Sequence, residues 1–542
     1  MKLKNLFSVA AVGLIMVSCS SDEPAADNGG NVPSGPGYLA VKINLPSTTG
    51  SRAVTYEEGL ANEYSVKDAV MYVWKKVGNN EKDYTFVTSA DLGKPVPEYP
   101  SNIEDVYSDF TVLAELQQLL KSDGNEYYAL VLLNSQSGDF EVSQPTPGMK
   151  YEEWNKAVET SIKIGFKPQF FMANSAIFES NSERPTTLVK IDVSKSQPTK
   201  EAAQAAGDGV EVYVERGVAK VTVKQPSESY DVSGATYDGD VVKMESWTLD
   251  VTNKKTFAIH KVYGLKEDFN TIWTLPRFIG SHRVYWGIDP NYNDCKPKDD
   301  ADIATYFNRA VEENYATTFG ENNPQYCLEN TFDIASMLQG QTTRIVFKAQ
   351  YTPKGMTPGA NFYMVKGETY TLDKIQTYIK GRAMQAHNLA ESEITVSLPN
   401  DVPAGIVTVT KEFFNVTKDG VTVDEAFVGK IIDLIPGDIL CYKGGVNYYA
   451  ARIRHFDDTE TAWKFGDPTY GDANDTNRSK YLGRYGVLRN NWYELEVTAV
   501  SSPGYPVLPP IVPDTPDDEN KYYLQTRCHI LKWAKHTQQI TL

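Results

Sequence analysis

The chain has 542 residues and a formal net charge of −17, with 53 Lys and Arg against 70 Asp and Glu. This length allows two or three domains with cores of their own. The acidic balance excludes nucleic acid as an expected partner, because nucleic-acid binding requires a basic surface. Aromatic residues make up 11% of the chain, including 33 Tyr, and short alternating segments lie between Gly, Pro and Asn turns. This composition favours a mainly β fold with few helices.

The first 19 residues are predicted to be a lipoprotein signal peptide. Lys2 and Lys4 precede an apolar run from Leu6 to Val17, which at 12 residues is shorter than the roughly 20 needed to span a membrane. The run ends at Met16-Val17-Ser18-Cys19, which is similar to a bacterial lipobox with Cys19 as the lipidated residue. We therefore expect export as a lipoprotein.

A strand and a candidate cleavage site are predicted within residues 20–52 and at their border. Apolar residues occupy alternate positions, as in a half-buried strand: Leu39, Val41, Ile43 and Leu45. Arg52 and Ala53 flank the candidate scissile bond, in a small, polar, turn-like segment that a protease can enter. The sequence thus predicts a precursor whose own first strand is removed as a propeptide.

Residues 53–502 are predicted to form two β-rich domains, 53–225 and 226–502. The boundary is placed at the Ser-, Gly- and Asp-rich segment from Gln225 to Asp240. Strands are predicted at Ala69–Trp74, Tyr128–Leu133, Val210–Val214, Val218–Val223, Met244–Val251, Arg344–Ala349, Ile406–Val409, Ile431–Leu434 and Tyr493–Val500. Helices are predicted at Asp109–Lys121, Glu152–Ile162, Asp302–Glu313 and Leu372–Ala386.

The last segment, residues 503–542, combines a Pro-rich arm with a long strand. Six of the sixteen residues from Pro503 to Asp518 are Pro, which predicts an extended, semi-rigid arm. The strand from Tyr522 to Leu542 is predicted to be donated to another subunit, through these residues: Tyr522, Leu524, Cys528, Ile530, Leu531, Trp533, Ile540 and Leu542. The alternative is that this strand pairs within its own domain.

The sequence contains no motif for catalysis or metal binding. Its six His form no metal-spaced pair, and there is no G-x-S-x-G elbow, Walker A motif or dinucleotide glycine fingerprint. Two acidic clusters offer the oxygen ligands that Ca²⁺ prefers, but neither has EF-hand spacing, and solvated loops are the favoured interpretation: Asp299, Asp300 and Asp302, and Asp472, Asn474 and Asp475. We therefore expect a non-enzyme with no cofactor and no metal ion.

Structural roles are predicted for the remaining cysteines and for several aromatic and arginine residues. Four cysteines follow Cys19, and their pairing as disulfides or survival as free thiols stays open: Cys295, Cys327, Cys441 and Cys528. Large aromatic residues dominate cores, so Trp286, Trp492 and Tyr493 are interpreted as core residues. The arginines Arg452, Arg454 and Arg489 are interpreted as partners of carboxylates.

Five phrases of the chain carry a resemblance to a known family. They are Glu215–Lys220 (ERGVAK), Arg283–Tyr292 (RVYWGIDPNY), Tyr326–Thr331 (YCLENT), Tyr448–His455 (YYAARIRH) and Tyr485–Tyr493 (YGVLRNNWY). Together they resemble the major-subunit, or fimbrillin, family of the short (minor) fimbriae of Bacteroidales, in the type V pilus class. The resemblance runs in order from the lipobox to the C-terminal strand and covers essentially the whole chain.

The resemblance implies two tandem transthyretin-like β-sandwich domains and a structural role in a surface fimbria. Members of the family are exported as outer-membrane lipoproteins, and an Arg-specific protease cuts after an arginine that Arg52 matches. Loss of the strand at Leu39–Leu45 then opens a groove that accepts a neighbour's C-terminal strand, and repetition builds a filament. The implied partners are other copies of this chain, tip and anchor subunits, the protease, and host or bacterial surface receptors in adhesion and biofilm formation.

Other roles share part of this pattern. A tip subunit accepts a strand without donating one, and an anchor subunit keeps its lipid and its first strand. A monomeric glycan-binding lipoprotein shares the lipobox and the Tyr-rich composition, whereas a surface enzyme requires a cleft with perturbed carboxylates. The presence of both Arg52 and a long C-terminal strand favours the stalk subunit.

Overall fold

The computed structural model describes most of the chain from residue 36 onward. The described ranges are 36–45, 60–93, 109–136, 142–159, 170–178, 184–264, 278–280, 283–292, 295–399, 403–464, 478–518, 525–532 and 534–541. Strands dominate these ranges and five α-helices interrupt them, so the predicted mainly β class is confirmed. In the same ranges, no helix is long and apolar enough to cross a membrane.

The N-terminal part is built on one large sheet in the order β3-β2-β5-β7-β9-β1-β4, with β8 beside β5. The strands of the N-terminal part are β1 Gly37–Asn44, β2 Ala69–Lys75, β3 Thr85–Gly93, β4 Asp109–Leu116, β5 Tyr127–Leu133, β6 Ala157–Glu159, β7 Met172–Asn174, β8 Val189–Lys190 and β9 Asp208–Arg216. All of them except β6 belong to this sheet. The helices of the N-terminal part are α1 Tyr151–Trp154 and α2 Lys200–Ala206.

Both faces of this sheet are covered. Met71 and Val73 of β2 point into one apolar cluster, which includes β1, and Tyr72 and Trp74 of the same strand point into a second, aromatic cluster. Successive side chains of a strand alternate between faces, so a strand buried on both sides is apolar throughout. The continuous apolar sequences of β2 and β5 have this cause.

The C-terminal part contains many shorter strands. They are β10 Val218–Val223, β11 Tyr230–Asp231, β12 Val241–Asp250, β13 Thr252–Asn253, β14 Lys255–Phe257, β15 Ile279–Gly280, β16 Arg283–Val284, β17 Phe307–Asn308, β18 Gln325–Leu328, β19 Arg344–Thr352, β20 Phe362–Val365, β21 Glu368–Tyr370, β22 Ile394–Ser397, β23 Gly405–Val407, β24 Asn415–Lys418, β25 Val421–Thr422, β26 Ile439–Tyr442, β27 Val446–Arg452, β28 Asn491–Ala499, β29 Gln525–Lys532 and β30 Ala534–Thr541. The helices are α3 Asp300–Tyr306, α4 Leu372–His387 and α5 Glu425–Ile432.

Two sheets of this part share one core. The first has the order β18-β10-β28-β29-β30 and the second β11-β12-β19-β27. Val221 and Tyr493 from the first sheet and Trp247, Phe347 and Tyr449 from the second belong to the same buried cluster. Side chains from two facing sheets that fill one core define a β-sandwich.

A further core is formed by residues 363–441, which the sequence did not distinguish as a unit. Ile375 and Ile379 of α4 pack with Val428 and Ile431 of α5 and with strands β20, β22, β24 and β26. Helix α4 begins at the cap Thr371, whose hydroxyl accepts from the Lys374 N–H. The domain boundaries predicted at 225/226 and 502/503 remain predictions, and β6 pairs with β14 across the first of them.

Several predicted elements are wrong, and long-range pairing explains most of these errors. Asp109–Lys121 is not a helix but contains strand β4, which pairs with β1. The helix predicted at Glu152–Ile162 is limited to α1 and is followed by β6, with residues 160–162 outside the described ranges. Asp302–Glu313 is helical only to Tyr306, and the strand predicted at Ile431–Leu434 begins inside α5. The helix predicted at Leu372–Ala386 is confirmed as α4.

Candidate functional site

Strand β1 is inserted between β4 and β9. It pairs antiparallel with β4 over its whole length, from Gly37 opposite Leu116 to Asn44 opposite Asp109. On its other side it pairs parallel with β9 from Ala40 to Asn44. In the described part of the chain, β4 pairs with no other strand. Removal of β1 would leave β4 without a hydrogen-bonded strand and β9 with an open edge, which is a template for another strand. We call this space the β1 slot.

The inner face of β1 carries the residues whose alternation predicted the strand. Leu39, Val41 and Ile43 are fully buried, and Leu45 directly after the strand is nearly so. Burial of one aliphatic side chain contributes about 1.5–3 kcal/mol, so the four contribute on the order of 6–12 kcal/mol. The occupant of the β1 slot therefore supplies a sizeable share of the stability of this domain.

The outer face of β1 is polar at its C-terminal end, where it carries Lys42 and Asn44. Lys42 Nζ lies 2.8 Å from Oε1 of Glu211 on β9, and the Asn44 amide donates to the same oxygen at 3.1 Å. The hydrogen bond from Lys42 lowers the pKa of the Glu211 carboxyl below its usual value. Because the Lys42 side chain is 31% exposed and that of Glu211 43%, this ion pair contributes at most about 1 kcal/mol. The polar contacts of the outer face thus favour the observed register of β1 against β9. The buried side chains of the inner face stabilise β1 in its sheet.

Two glycines shape the β1 slot. A Cβ atom on Gly209 of β9 would lie 2.2 Å from Cδ1 of Leu39, and one on Gly37 would lie 2.6 Å from Cα of Leu119. Both distances are below any normal Cβ contact, so a side chain at either position would displace the strand or its neighbour. Sequence reasoning missed both residues, because an isolated Gly does not show which strand approaches it.

The predicted lipidation and cleavage residues, Cys19, Arg52 and Ala53, lie outside the described residues. The described chain resumes at Leu60, and Glu63 in the short 3₁₀ turn that follows is fully buried. Its carboxylate lies 2.8 Å from Lys220 Nζ on β10 and accepts from the Tyr326 hydroxyl on β18 at 2.6 Å. Burial lowers the pKa of the Lys220 ammonium, and the charge of Glu63 opposes that shift.

Two of the phrases that carry the family resemblance contact Glu63, and a third contacts Lys220, its partner. Arg216 and Lys220 belong to the first phrase, and the Arg216 guanidinium donates to the Glu63 carbonyl at 2.9 Å. Tyr326 belongs to the third phrase, and Trp492 of the last phrase lies 4.0 Å from Lys220 Nζ, face on. The segment after the predicted cleavage site is thus anchored to β9, β10 and β18.

The remaining interior residues have structural partners. Trp286, Trp492 and Tyr493 are buried, as predicted. Each of the three predicted arginines pairs with a carboxylate, Arg452 with Asp517, Arg454 with Asp458 and Arg489 with Glu329. Three cysteines are free and buried, Cys295, Cys327 and Cys441, and the side chain of Cys528 lies outside those described.

The first acidic cluster serves a helix end. Asp299 accepts from the Asp302 N–H at 2.8 Å and caps α3, and Asp300 pairs with Arg309 at 3.2 Å. The second cluster, Asp472, Asn474 and Asp475, lies outside the described residues. Among the described residues, no group of three or more His, Cys, Asp or Glu is arranged to hold a metal ion.

The C-terminal strand is two strands and not one. β29 and β30 pair antiparallel on either side of Trp533, and β28 pairs antiparallel with β29 from Trp492 opposite Leu531 to Leu495 opposite Cys528. The chain therefore shows the alternative considered above, in which its end pairs within its own domain. Of the predicted donor residues, Cys528, Ile530, Leu531 and Ile540 lie on these strands, and Tyr522, Leu524, Trp533 and Leu542 lie outside the described residues.

A free spacer would project away from the domain. The Pro-rich arm does not do so. Buried residues recur along it, including Pro503, Pro509, Ile511 and Asp517. The arm therefore lies on the C-terminal sandwich as far as Asp518.

The comparisons with known proteins connect the C-terminal part to fimbriae. Residues 441–539 match the family model of the major fimbrial subunit protein type IV, fimbrillin, C-terminal region. The match confirms the predicted resemblance to fimbrillins in this C-terminal region. Among curated proteins, no relative matches this chain.

Several solved structures align with this chain. A candidate cell adhesion protein from Parabacteroides distasonis aligns over 88% of this chain and 90% of its own at 10% identity, with a TM-score of 0.35. A second one from the same organism aligns over 93% and 99% at 10% identity, with a TM-score of 0.30. A fimbrial assembly protein from this organism aligns over 42% and 67% at 8% identity, with a TM-score of 0.21. All three TM-scores lie below 0.5.

Proposed function

We propose that this protein is the stalk subunit of a surface fimbria. It is exported as an outer-membrane lipoprotein through Cys19, cut by an Arg-specific protease after Arg52, and polymerised by insertion of a neighbour's C-terminal strand into the β1 slot. The observation that carries the proposal is the position of β1 inside its sheet, with β4 hydrogen-bonded to no other described strand. The match of residues 441–539 to fimbrillin supports the fimbrial part of the proposal.

Occupation of the β1 slot explains why assembly waits for proteolysis. Before cleavage β1 is tied to its own domain, so it fills the slot at a high effective concentration. After cleavage the same contacts join two separate molecules, and β1 becomes a dissociable peptide. An external strand of equal or better fit then replaces it by mass action.

The C-terminal strand is the proposed occupant. In the single chain it pairs with β28 at one edge of its sheet. A strand at a sheet edge can be exchanged without separating two other strands. Head-to-tail insertion is heterologous and does not close on itself, so it gives a filament. Tip and anchor subunits, and host or bacterial receptors in adhesion and biofilm formation, are the further proposed partners.

The stalk role is favoured over its alternatives by the combination of both ends. An anchor subunit keeps its first strand and so does not require cleavage after Arg52. A tip subunit accepts a strand without donating one and so does not require a C-terminal donor strand. A monomeric glycan-binding lipoprotein would lose its tether by cleavage at Arg52.

Limited digestion tests the proposal. The chain from Ser20 onward is treated with an Arg-specific protease, run unboiled on a denaturing gel and sequenced from its new N-terminus. We expect a ladder of multimers beginning at Ala53, absent in Arg52→Ala and in a variant lacking Tyr522–Leu542. Cleavage at Ala53 that yields only monomer would favour a tip subunit. A folded protein that resists cleavage at Arg52 would reject the stalk role.

A further inference from the structure

The Pro-rich arm is fixed to the C-terminal sandwich at two stations. The inner station ends at Ile511, which is buried. The Tyr442 hydroxyl donates to the Gly504 carbonyl at 2.7 Å, and the Arg344 guanidinium donates to the Pro509 carbonyl at 2.7 Å. This station alone would hold the arm on the domain and leave residues 512–518 unsupported.

The outer station holds residues 513–518 by backbone hydrogen bonds to the segment 337–340. The donor and acceptor pairs are Gly340 N–H to the Pro513 carbonyl at 3.2 Å, Gln339 N–H to the Thr515 carbonyl at 2.9 Å, and Asp517 N–H to the Met337 carbonyl at 3.1 Å. The contact is close, because a Cβ atom on Gly340 would lie 2.8 Å from Cα of Pro513.

Asp517 adds a buried ion pair to the outer station. Its Oδ1 lies 2.9 Å from Nε of Arg452 at the end of β27, and its Oδ2 accepts from the Thr342 hydroxyl at 2.5 Å. Asp517 is fully buried, and its partner Arg452 is 11% exposed.

Asp518 makes a second buried ion pair, to a different element. Its Oδ1 accepts from Arg484 Nε at 2.9 Å and from the Tyr485 hydroxyl at 2.7 Å. Arg484 is completely buried and also contacts Asp458 at 2.7 Å. The last two residues of the arm are thus bound to two separate parts of the sandwich.

Two adjacent buried carboxylates are an unusual way to hold a segment that backbone bonds already retain. Burial of an ion pair contributes little net stability, because desolvation offsets most of the attraction, but it demands one geometry. The strand β29 begins at Gln525, seven residues after Asp518. The ion pairs therefore fix the chain seven residues before the C-terminal strand begins.

We propose that Asp517 and Asp518 are positioning residues for polymerisation, which fix the root of the donor strand and so set the angle and stiffness of the joint between subunits. This inference rests on the proposed strand exchange. Without the outer station, the seven residues from Val512 to Asp518 become part of the linker. At about 3.3 Å per residue they add about 23 Å of reach to each joint.

Two releasing variants weaken the outer station by different routes. Asp518→Ala removes one ion pair and leaves Arg484 with Asp458 and with the Thr461 carbonyl at 2.6 Å. Gly340→Ala inserts a methyl group against Pro513 and removes no charge. Asp514→Ala, at an exposed position of the same arm, is the matched control. If Asp518→Ala does not fold, Gly340→Ala gives the answer alone.

The measurement is the persistence length and axial repeat of protease-matured fibres by electron microscopy. We expect both variants to polymerise into fibres with a persistence length shorter by about threefold or more, because a flexible linker bends where a fixed root does not. The control keeps the wild-type values. Wild-type persistence length and axial repeat in both releasing variants would overturn the inference.

A second readout separates this inference from the proposed function. A fluorescently labelled peptide of residues 519–542 is titrated, with anisotropy as the readout, into cleaved wild-type and variant chains that all lack their own Tyr522–Leu542 and so do not polymerise. We expect equal affinity for all chains, because the β1 slot is untouched. Failure of the peptide to bind cleaved wild type would reject strand exchange itself, whereas binding with unchanged fibre stiffness would reject only the positioning role.

Discussion

Replacement of Ile43 by Ala distinguishes the precursor from the polymer. Ile43 is fully buried in the core cluster that β1 shares with β4 and β9. Large-to-small changes of this kind cost about 2–5 kcal/mol, through lost transfer free energy and the cavity that remains. The uncleaved chain should lose that much from the unfolding free energy of its N-terminal domain.

The same change should leave the mature polymer unaffected, since the strand that carries it has been released. The assay is guanidinium unfolding followed by tryptophan fluorescence, applied to uncleaved Ile43→Ala and to purified fibres matured from it. Wild-type chain and fibres are run in parallel. Equal destabilisation of the fibres and the precursor would refute the reasoning, because β1 would then still occupy its slot after maturation.

The control for this prediction lies one residue away on the other face. Lys42→Ala removes a partly exposed ion pair with Glu211, which is worth about 0.2–1 kcal/mol. The precursor should therefore barely respond to Lys42→Ala. A precursor that loses as much stability with Lys42→Ala as with Ile43→Ala would show that the inner face does not dominate the hold on β1.

Three further predictions concern other parts of the molecule. Gly209→Ala should destabilise the uncleaved chain by about 1–3 kcal/mol in guanidinium unfolding, because its methyl group meets Leu39; a neutral effect would show that β1 shifts freely. Glu63→Ala should cost about 3–5 kcal/mol in the same assay, because it leaves Lys220 buried without its carboxylate; a loss below 1 kcal/mol would contradict the anchor. Burial raises the pKa of Asp289 to about 7, above its unfolded value near 3.9. Protonated Asp289 therefore stabilises the fold at low pH, and its contribution is lost as the pH rises from about 4 to about 7. Asp289→Asn should flatten that slope in unfolding free energies measured from pH 5 to 7.5, and an unchanged slope would assign it to other groups.

The sequence predicts β1 well because one residue in two points to the core. Leu39, Val41, Ile43 and Leu45 lie on one face of the strand, and Lys42 and Asn44 lie between them on the other face. No single face of a helix can hold apolar residues with this spacing. It predicts α4 equally well, since its apolar residues recur at helical spacing after the cap at Thr371. These elements carry their own periodicity.

The error at β4 shows where local periodicity is insufficient. Phe110, Leu113 and Leu116 fit one face of a helix, and Phe110, Val112 and Leu116 fit one face of a strand equally well. The choice is made by pairing with β1, which lies about 70 residues earlier in the chain. Glu63 and Gly209 were missed for the same reason, because their partners are distant in sequence and close only in the fold.

The chain is held by buried ion pairs close to both segments that take part in the proposed strand exchange. Eleven residues after Arg52, Glu63 ties the chain to β10 and β18 through Lys220 and Tyr326. Seven residues before β29, Asp518 ties it to Arg484. Proteolysis at Arg52 would therefore free β1 without loosening the body of the subunit, and the contacts in the β1 slot would be the same before and after the cut. What changes is the effective concentration of β1, which falls from that of a tethered segment to that of a free peptide. On this physical ground, cleavage acts as the switch, and the strength of the joint between subunits is set by how well the incoming strand refills the positions of Leu39, Val41 and Ile43.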